Sequence, residues 1–267
     1  MKSIVSVAVA ALGAAALVAS CSSSQTDTAS TTTGSASPAP TSITGDITVF
    51  AAASLKATFT ELGAQMENDN PGKKVTFNFA GSSDLVTQLT QGAPADVFAS
   101  ADTNNMTKAV DAGLVANDPV NFATNTLTIV TPPGNPKQIA SFADLAKPGT
   151  QVVVCAPQVP CGSATEKVEQ ATGVTLTPVS EESAVTDVLG KITSGQADAG
   201  LVYVTDAKGA GDKVSAVPFP ESSGAVNTYP IAVLKESKNP AAAQKFVELV
   251  TGPEGQKVLA AAGFAAP

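Results

Sequence analysis

The sequence contains no histidine. That absence excludes Ser-His-Asp and Cys-His catalysis, imidazole metal sites and histidine pH switches together. Tryptophan is also missing, and the only tyrosines are Tyr203 and Tyr229, too few for an aromatic-lined sugar pocket or a base-stacking surface. Basic residues are scarce: 15 Lys and Arg against 23 Asp and Glu give a formal charge of −8, a poor match for nucleic acid or anionic lipid. The same charge does not exclude an anionic ligand. Fixed dipoles at a site act at contact range, whereas diffuse surface charge is screened by salt.

What is present begins with an export signal. Lys2 precedes an apolar run from Ile4 that stops at small residues before Cys21, too short for a membrane span. Residues 1–20 read as a signal peptide. The ending Val18-Ala19-Ser20-Cys21 resembles a bacterial lipobox, which implies cleavage before Cys21 and lipidation of its thiol. Residues 21–45 comprise this cysteine and a Ser/Thr/Ala/Gly/Pro tether with too little apolar surface to offset its ordering entropy. The folded part therefore starts near Asp46 and is long enough for two modest domains.

From there, short β-prone runs alternate with helical stretches. Strands are expected at residues 47–52, 74–79, 95–100, 126–130, 151–155, 199–204 and 229–234. Helices are expected at 55–68, 83–91, 103–112, 141–147, 165–171 and 183–194, followed by two at the C-terminus. Such alternation points to βαβ units and parallel sheet. Thr126 and Thr228 each open a strand after a polar stretch, so the chain is expected to cross between two lobes near Asn125 and Asn227. Lobe I then comprises 46–125 plus 227–267, and lobe II 126–226.

Two serines stand where a strand turns into a helix: Ser54 after Ile47-Thr-Val-Phe-Ala-Ala-Ala, and Ser82 after Val75-Thr-Phe-Asn-Phe-Ala-Gly. Helix starts leave backbone N–H groups unpaired and carry the positive end of the helix dipole, so small residues and a hydroxyl there can cradle an anion. Simple helix capping is the competing explanation. Ser54, Ser82, Tyr203 and the Ser100-Ala-Asp102 turn all fall at carboxyl ends of expected strands, where open α/β sheets bind ligands. Asp102 and Asp206 read as structural, each following a strand.

Several segments together closely resemble the molybdate-binding proteins of bacterial ABC-type importers, a periplasmic-type solute-binding family. They are Thr48-Val-Phe-Ala-Ala-Ala-Ser-Leu55, Phe79-Ala-Gly-Ser-Ser83, Gly92-Ala-Pro-Ala-Asp-Val-Phe-Ala-Ser-Ala-Asp102, Val159-Pro-Cys-Gly162, Ala197-Asp-Ala-Gly-Leu-Val-Tyr-Val-Thr-Asp206 and Phe246-Val-Glu-Leu-Val-Thr-Gly-Pro-Glu-Gly-Gln256. The resemblance implies an α/β, two-lobed fold of the type II periplasmic-binding class with a tetrahedral oxyanion in the cleft. It also implies neutral donors at five positions: the hydroxyls and N–H groups of Ser54 and Ser82, the main-chain N–H groups of Cys161 and Val185, and the phenol of Tyr203. Relatives often carry Ala at the Cys161 position, a change that leaves a main-chain donor intact. No cofactor is implied, molybdenum entering only as the bound oxyanion. The implied partners are molybdate or tungstate, an ABC permease and the membrane through Cys21, the chain being a lipid-anchored monomer on the outer face of the cytoplasmic membrane. No nucleic acid is implied.

Sulfate or phosphate on the same scaffold is the alternative within the binding class. An exported serine hydrolase is a distant one, because without histidine only Lys56 lies near either serine in sequence. Finally, with Cys21 lipidated, Cys155 and Cys161 form an even pair in an oxidising compartment and are expected to be bridged, two free thiols being the alternative.

Overall fold

The computed structural model describes Ile43 and residues 45–267. The expected signal peptide, the expected lipidation site Cys21 and nearly all of the tether lie outside the described residues.

The first half of the chain builds β1 (Ile47–Ala52), α1 (Lys56–Asp69), β2 (Val75–Ala80), α2 (Ser82–Thr90), β3 (Val97–Ala99), α3 (Thr103–Asp111) and β4 (Val120–Asn125). The middle supplies β5 (Leu127–Thr131), β6 (Val152–Cys155), α4 (Pro160–Thr172), β7 (Ser180–Glu182), α5 (Val185–Thr193), β8 (Ala199–Tyr203), α6 (Val204–Ala210) and β9 (Ser215–Val217). The chain closes with β10 (Asn227–Val233), α7 (Pro240–Thr251) and α8 (Pro253–Ala262). Short 3₁₀ turns occupy Ala53–Leu55 and Phe142–Ala146, the second where the sequence suggests a helix.

These strands form two five-stranded sheets of matching order, β2-β1-β3-β10-β4 and β7-β6-β8-β5-β9. In each, the first three strands are parallel, as βαβ alternation requires. The other two are antiparallel to their neighbours, so the sheets are mixed. The antiparallel strands are the ones that flank the crossings: β4 leads into β5, and β10 returns to the first sheet. The fold is thus two-lobed α/β, of the periplasmic-binding-protein type.

The sequence reading missed β4, β7, β9 and α6. β7 and β9 are three-residue strands too short to show a pattern, and β4 begins with exposed residues and reads as polar. α4 begins at Pro160, five residues earlier than its apolar pattern indicates, because Pro at the first position fits a helix start. This places Cys161 in the first turn of a helix rather than in a loop.

The central strands are apolar on both faces because helices cover both, which is why β1, β3, β5, β6 and β8 read as continuous Val/Ile/Leu/Ala runs. On α1, Phe59, Leu62 and Met66 are buried at helical spacing. Phe59 meets Phe77, Phe122 and Phe246, with ring centroids 5.5–6.5 Å apart. Side chains of both sheets belong to one contiguous buried cluster, Val49 and Ala99 with Val153 and Val202 among them.

Polar bonds tie the lobes where they meet. Asn125 Nδ2 donates to Thr205 Oγ1 at 2.8 Å, and Asn227 Nδ2 donates to the carbonyls of Ala101 (2.9 Å) and Pro160 (3.3 Å), one from each side. A Cβ on Gly81 would run into the Ser183 carbonyl oxygen, so backbone meets backbone there and only glycine fits. Gly162 is equally confined, against the Ala156 carbonyl at the end of β6.

Cys155, ending β6, and Cys161, in the first turn of α4, are joined by a disulfide. A ring this short removes about 2 kcal/mol of denatured-state freedom by the chain-entropy relation. Replacing both cysteines by serine should therefore lower the unfolding free energy by about that amount in a denaturant titration, and an unchanged midpoint would contradict it.

Candidate functional site

One cavity lies where the carboxyl ends of the strands of both sheets face each other. It is lined by Ser54, Ser82, Cys161, Val185 and Tyr203 together with small or apolar residues such as Ala53 and Gly81. It holds about 200 Å³ of space free of atoms, part of it open to solvent. All five residues singled out in the sequence therefore converge on one place. Among the described residues, the lining contains no charged side chain. Among the described residues, no cluster of three or more His, Cys, Asp or Glu side chains is placed to hold a metal ion.

Each element delivers its donor for a local reason. Ser82 is the first residue of α2, Cys161 the second of α4 and Val185 the first of α5. The residues before these helices are Gly81, Val159 and Ala184, none of which has a side chain able to cap. The first-turn N–H groups consequently have no capping side chain, and three helix starts turn their positive ends toward the same space. By contrast α3, one turn away in sequence from Ala101, is capped in the ordinary way: Asp102 accepts from Asn105 N at 2.9 Å.

Neither serine acts as a helix cap. Ser82 Oγ accepts a hydrogen bond from Ala101 N at 3.0 Å, which leaves its own hydrogen to donate elsewhere. Ser54 sits in the 3₁₀ turn before α1, and its Oγ lies 3.1 Å from Tyr229 Oη.

Tyr203 ends β8 and is 1% exposed, yet among the described residues its hydroxyl has no hydrogen-bond partner. A buried, unpaired phenol facing a cavity is a donor waiting for an acceptor. Burial, with the neighbouring Tyr229, Asp102 and Asp206, holds its pKa well above the ordinary value, so it stays protonated. Asp206, half-buried on the first turn of α6, accepts from Tyr203 N at 3.0 Å and so fixes the end of β8. Burial raises the Asp206 carboxyl to about 7, partly offset by that N–H.

Sequence reasoning missed Tyr229 and Asn227. Tyr229 is fully buried behind Ser54, 175 residues away in the chain, and Asn227 bridges the walls at Ala101 and Pro160. Both sit on β10, whose sequence reads as an ordinary strand; no local signal couples them to the site.

The chain matches the family described as bacterial extracellular solute-binding protein over residues 47–265. It is 60% identical over 232 residues to the molybdate-binding protein ModA of Mycobacterium tuberculosis (H37Rv), covering 86% of this chain and 89% of that one. It is 31% identical over 227 residues to the putative ABC transporter substrate-binding lipoprotein YvgL of Bacillus subtilis, covering 82% and 86% respectively. The periplasmic molybdate-binding protein of Azotobacter vinelandii superposes with a TM-score of 0.73 over 83% of this chain and 99% of its own; at 23% identity it speaks for the fold. The chain belongs to the bacterial extracellular solute-binding protein family.

Proposed function

We propose that this protein captures molybdate, and equally tungstate, outside the cytoplasmic membrane and hands it to an ABC permease. The observation that carries the reading is the buried, unpaired Tyr203 hydroxyl in a cavity that otherwise offers serine hydroxyls and helix-start N–H groups and no charge. The 60% identity to a molybdate-binding protein supports it, and the name of the Bacillus subtilis relative supports the permease and the lipid anchor at Cys21. The reading assigns Ser54, Ser82, Cys161, Val185 and Tyr203 as ligand donors, residues 46–125 with 227–267 as lobe I and residues 126–226 as lobe II. It assigns no catalytic residue.

The chemistry suits capture and release. Charge-assisted hydrogen bonds contribute about 1.5–3 kcal/mol each. About seven of them, less the costs of desolvation and closure, leave a Kd between roughly micromolar and nanomolar. Donors from both lobes are fixed on helix starts and strand ends, so they do not contract freely around a smaller anion. Sulfate carries the same charge but shorter bonds to oxygen.

A calorimetric panel of molybdate, tungstate, sulfate and phosphate tests the reading. Molybdate and tungstate should bind almost equally, and sulfate roughly a hundredfold to a thousandfold more weakly, as the loss of two or three well-aligned bonds would give. Sulfate competing at similar concentration would refute it. Ser54→Ala and Ser82→Ala should each weaken molybdate by roughly ten- to a hundredfold; two variants that bind like wild type would show that the donors lie elsewhere. Gly81→Ala should spare the fold, since the backbone there is extended, but weaken molybdate by about tenfold or more by holding the walls at Gly81 and Ser183 apart.

The donors themselves do not titrate near neutrality, but Asp206 does. Its carboxyl is raised in the folded chain, so it favours folding when protonated, fully below about pH 4, and loses that contribution as pH rises through about 7. Its charge also opposes a dianion, so affinity should fall by a few-fold at most from about pH 6 to 8. Asp206→Asn should remove that slope; a slope that survives would assign it to another group.

A further inference from the structure

We infer that Asn227 is a positioning residue that grips the Pro160–Cys161 peptide unit from the facing lobe once the lobes have met, and so sets how long a captured anion is held. This deepens the oxyanion reading above and rests on it.

Asn227 opens β10 in the first sheet, paired with Asn125 at the other crossing. It is 5% exposed, and its Nδ2 donates in two directions, to the Ala101 carbonyl at 2.9 Å and to the Pro160 carbonyl at 3.3 Å. Ala101 follows β3, in the same sheet as Asn227, whereas Pro160 opens α4, after β6 of the second sheet. The Ala101 bond therefore aims the amide, and the Pro160 bond spans the lobes. Turned over, the amide would set its oxygen against two carbonyls, so its partners decide which atom is nitrogen. In this orientation Oδ1 is buried and, among the described residues, has no partner. An apolar side chain of similar size would avoid that cost. What asparagine supplies in return is the two-way donor.

The Pro160 carbonyl and the Cys161 N–H are the two polar ends of one planar peptide unit, directed to opposite sides of it. Cys161 lines the cavity, and its N–H is one of the donors assigned above to the anion. Asn227 and the anion thus hold one peptide unit at its two ends. A donor at the carbonyl also polarises the N–H, strengthening what it gives the anion. The unit is anchored to the second sheet, because Cys161 is bridged to Cys155 at the end of β6 and Gly162 sits against the Ala156 carbonyl. Parting the lobes carries Pro160 away and leaves Asn227 with Ala101 alone. The spanning bond forms after the anion has entered, so its loss is read in release and not in association.

The test loads radiolabelled molybdate onto wild type, Asn227→Leu and Asn227→Ala, chases it with unlabelled molybdate, and measures association separately by rapid filtration. Leucine keeps the volume and removes both the donor and the orphaned acceptor; alanine serves where leucine does not fit. The variants should release molybdate roughly tenfold faster than wild type, with association within about threefold of it. Variants that melt at lower temperature, with and without molybdate alike, but release it at the wild-type rate have lost packing only and overturn the inference. Slower association with unchanged release overturns it as well. Failure of wild type to bind molybdate at all overturns the oxyanion reading, and this inference with it.

Discussion

The architecture turns on one constraint: a helix that starts without a capping side chain leaves N–H groups that need an acceptor. In this chain α2, α4 and α5 all start that way at one cavity, and Tyr203 adds a buried hydroxyl in the same condition. Buried donors left unpaired cost about 1–3 kcal/mol each, so the arrangement is disfavoured until an acceptor arrives. A tetrahedral oxyanion, with acceptors in four directions, resolves it. Because Ser54 and Ser82 follow strands of the first sheet while Cys161, Val185 and Tyr203 follow strands of the second, an acceptor in this cavity would contact both halves, adding to the polar bonds and packing that already tie them.

The steric requirements follow from this. For donors on two sheets to reach one small anion, backbone must approach backbone across the gap. Gly81 against the Ser183 carbonyl is that approach, and Ala52, Ala53, Ala80 and Ala101 keep the remaining wall low. Gly162 plays the equivalent part within the second lobe, letting the start of α4 settle on the end of β6 while the Cys155–Cys161 bridge holds it there. A cysteine at position 161 fits this wall, since its side chain is bridged to Cys155 and points into the protein, where Cys161 is 2% exposed.

Legibility in the sequence tracked the range of the interactions. β1, β3, α1 and α3 announce themselves through local apolar periodicity, and Asp102 as a cap follows from its place before Thr103. The strand-to-helix serines were visible because helix-start chemistry is also local. What was not visible is whatever depends on pairing across the chain. β7 and β9 are three-residue strands that exist only because β6 and β5 offer them an edge. The antiparallel course of β5 and β10 is set by the crossings rather than by composition. Tyr229 and Asn227 belong to the same class: each matters through a partner more than sixty residues away, so neither leaves a trace in its own neighbourhood.

A protein of formal charge −8 that offers an anion no cation needs an account of affinity that does not rely on net charge. All 15 of its basic residues are lysines, and none of those among the described residues lines the cavity. Oriented N–H and O–H dipoles supply the attraction at contact distance, where screening by salt is least effective. They also limit it: each bond requires its own alignment, and opening the cleft separates the two sets of donors at once. A guanidinium or ammonium in the same place would hold a dianion through charge even after the lobes parted. Neutral donors split between two lobes tie retention to closure, which is the property a carrier needs if opening the lobes is to release its cargo.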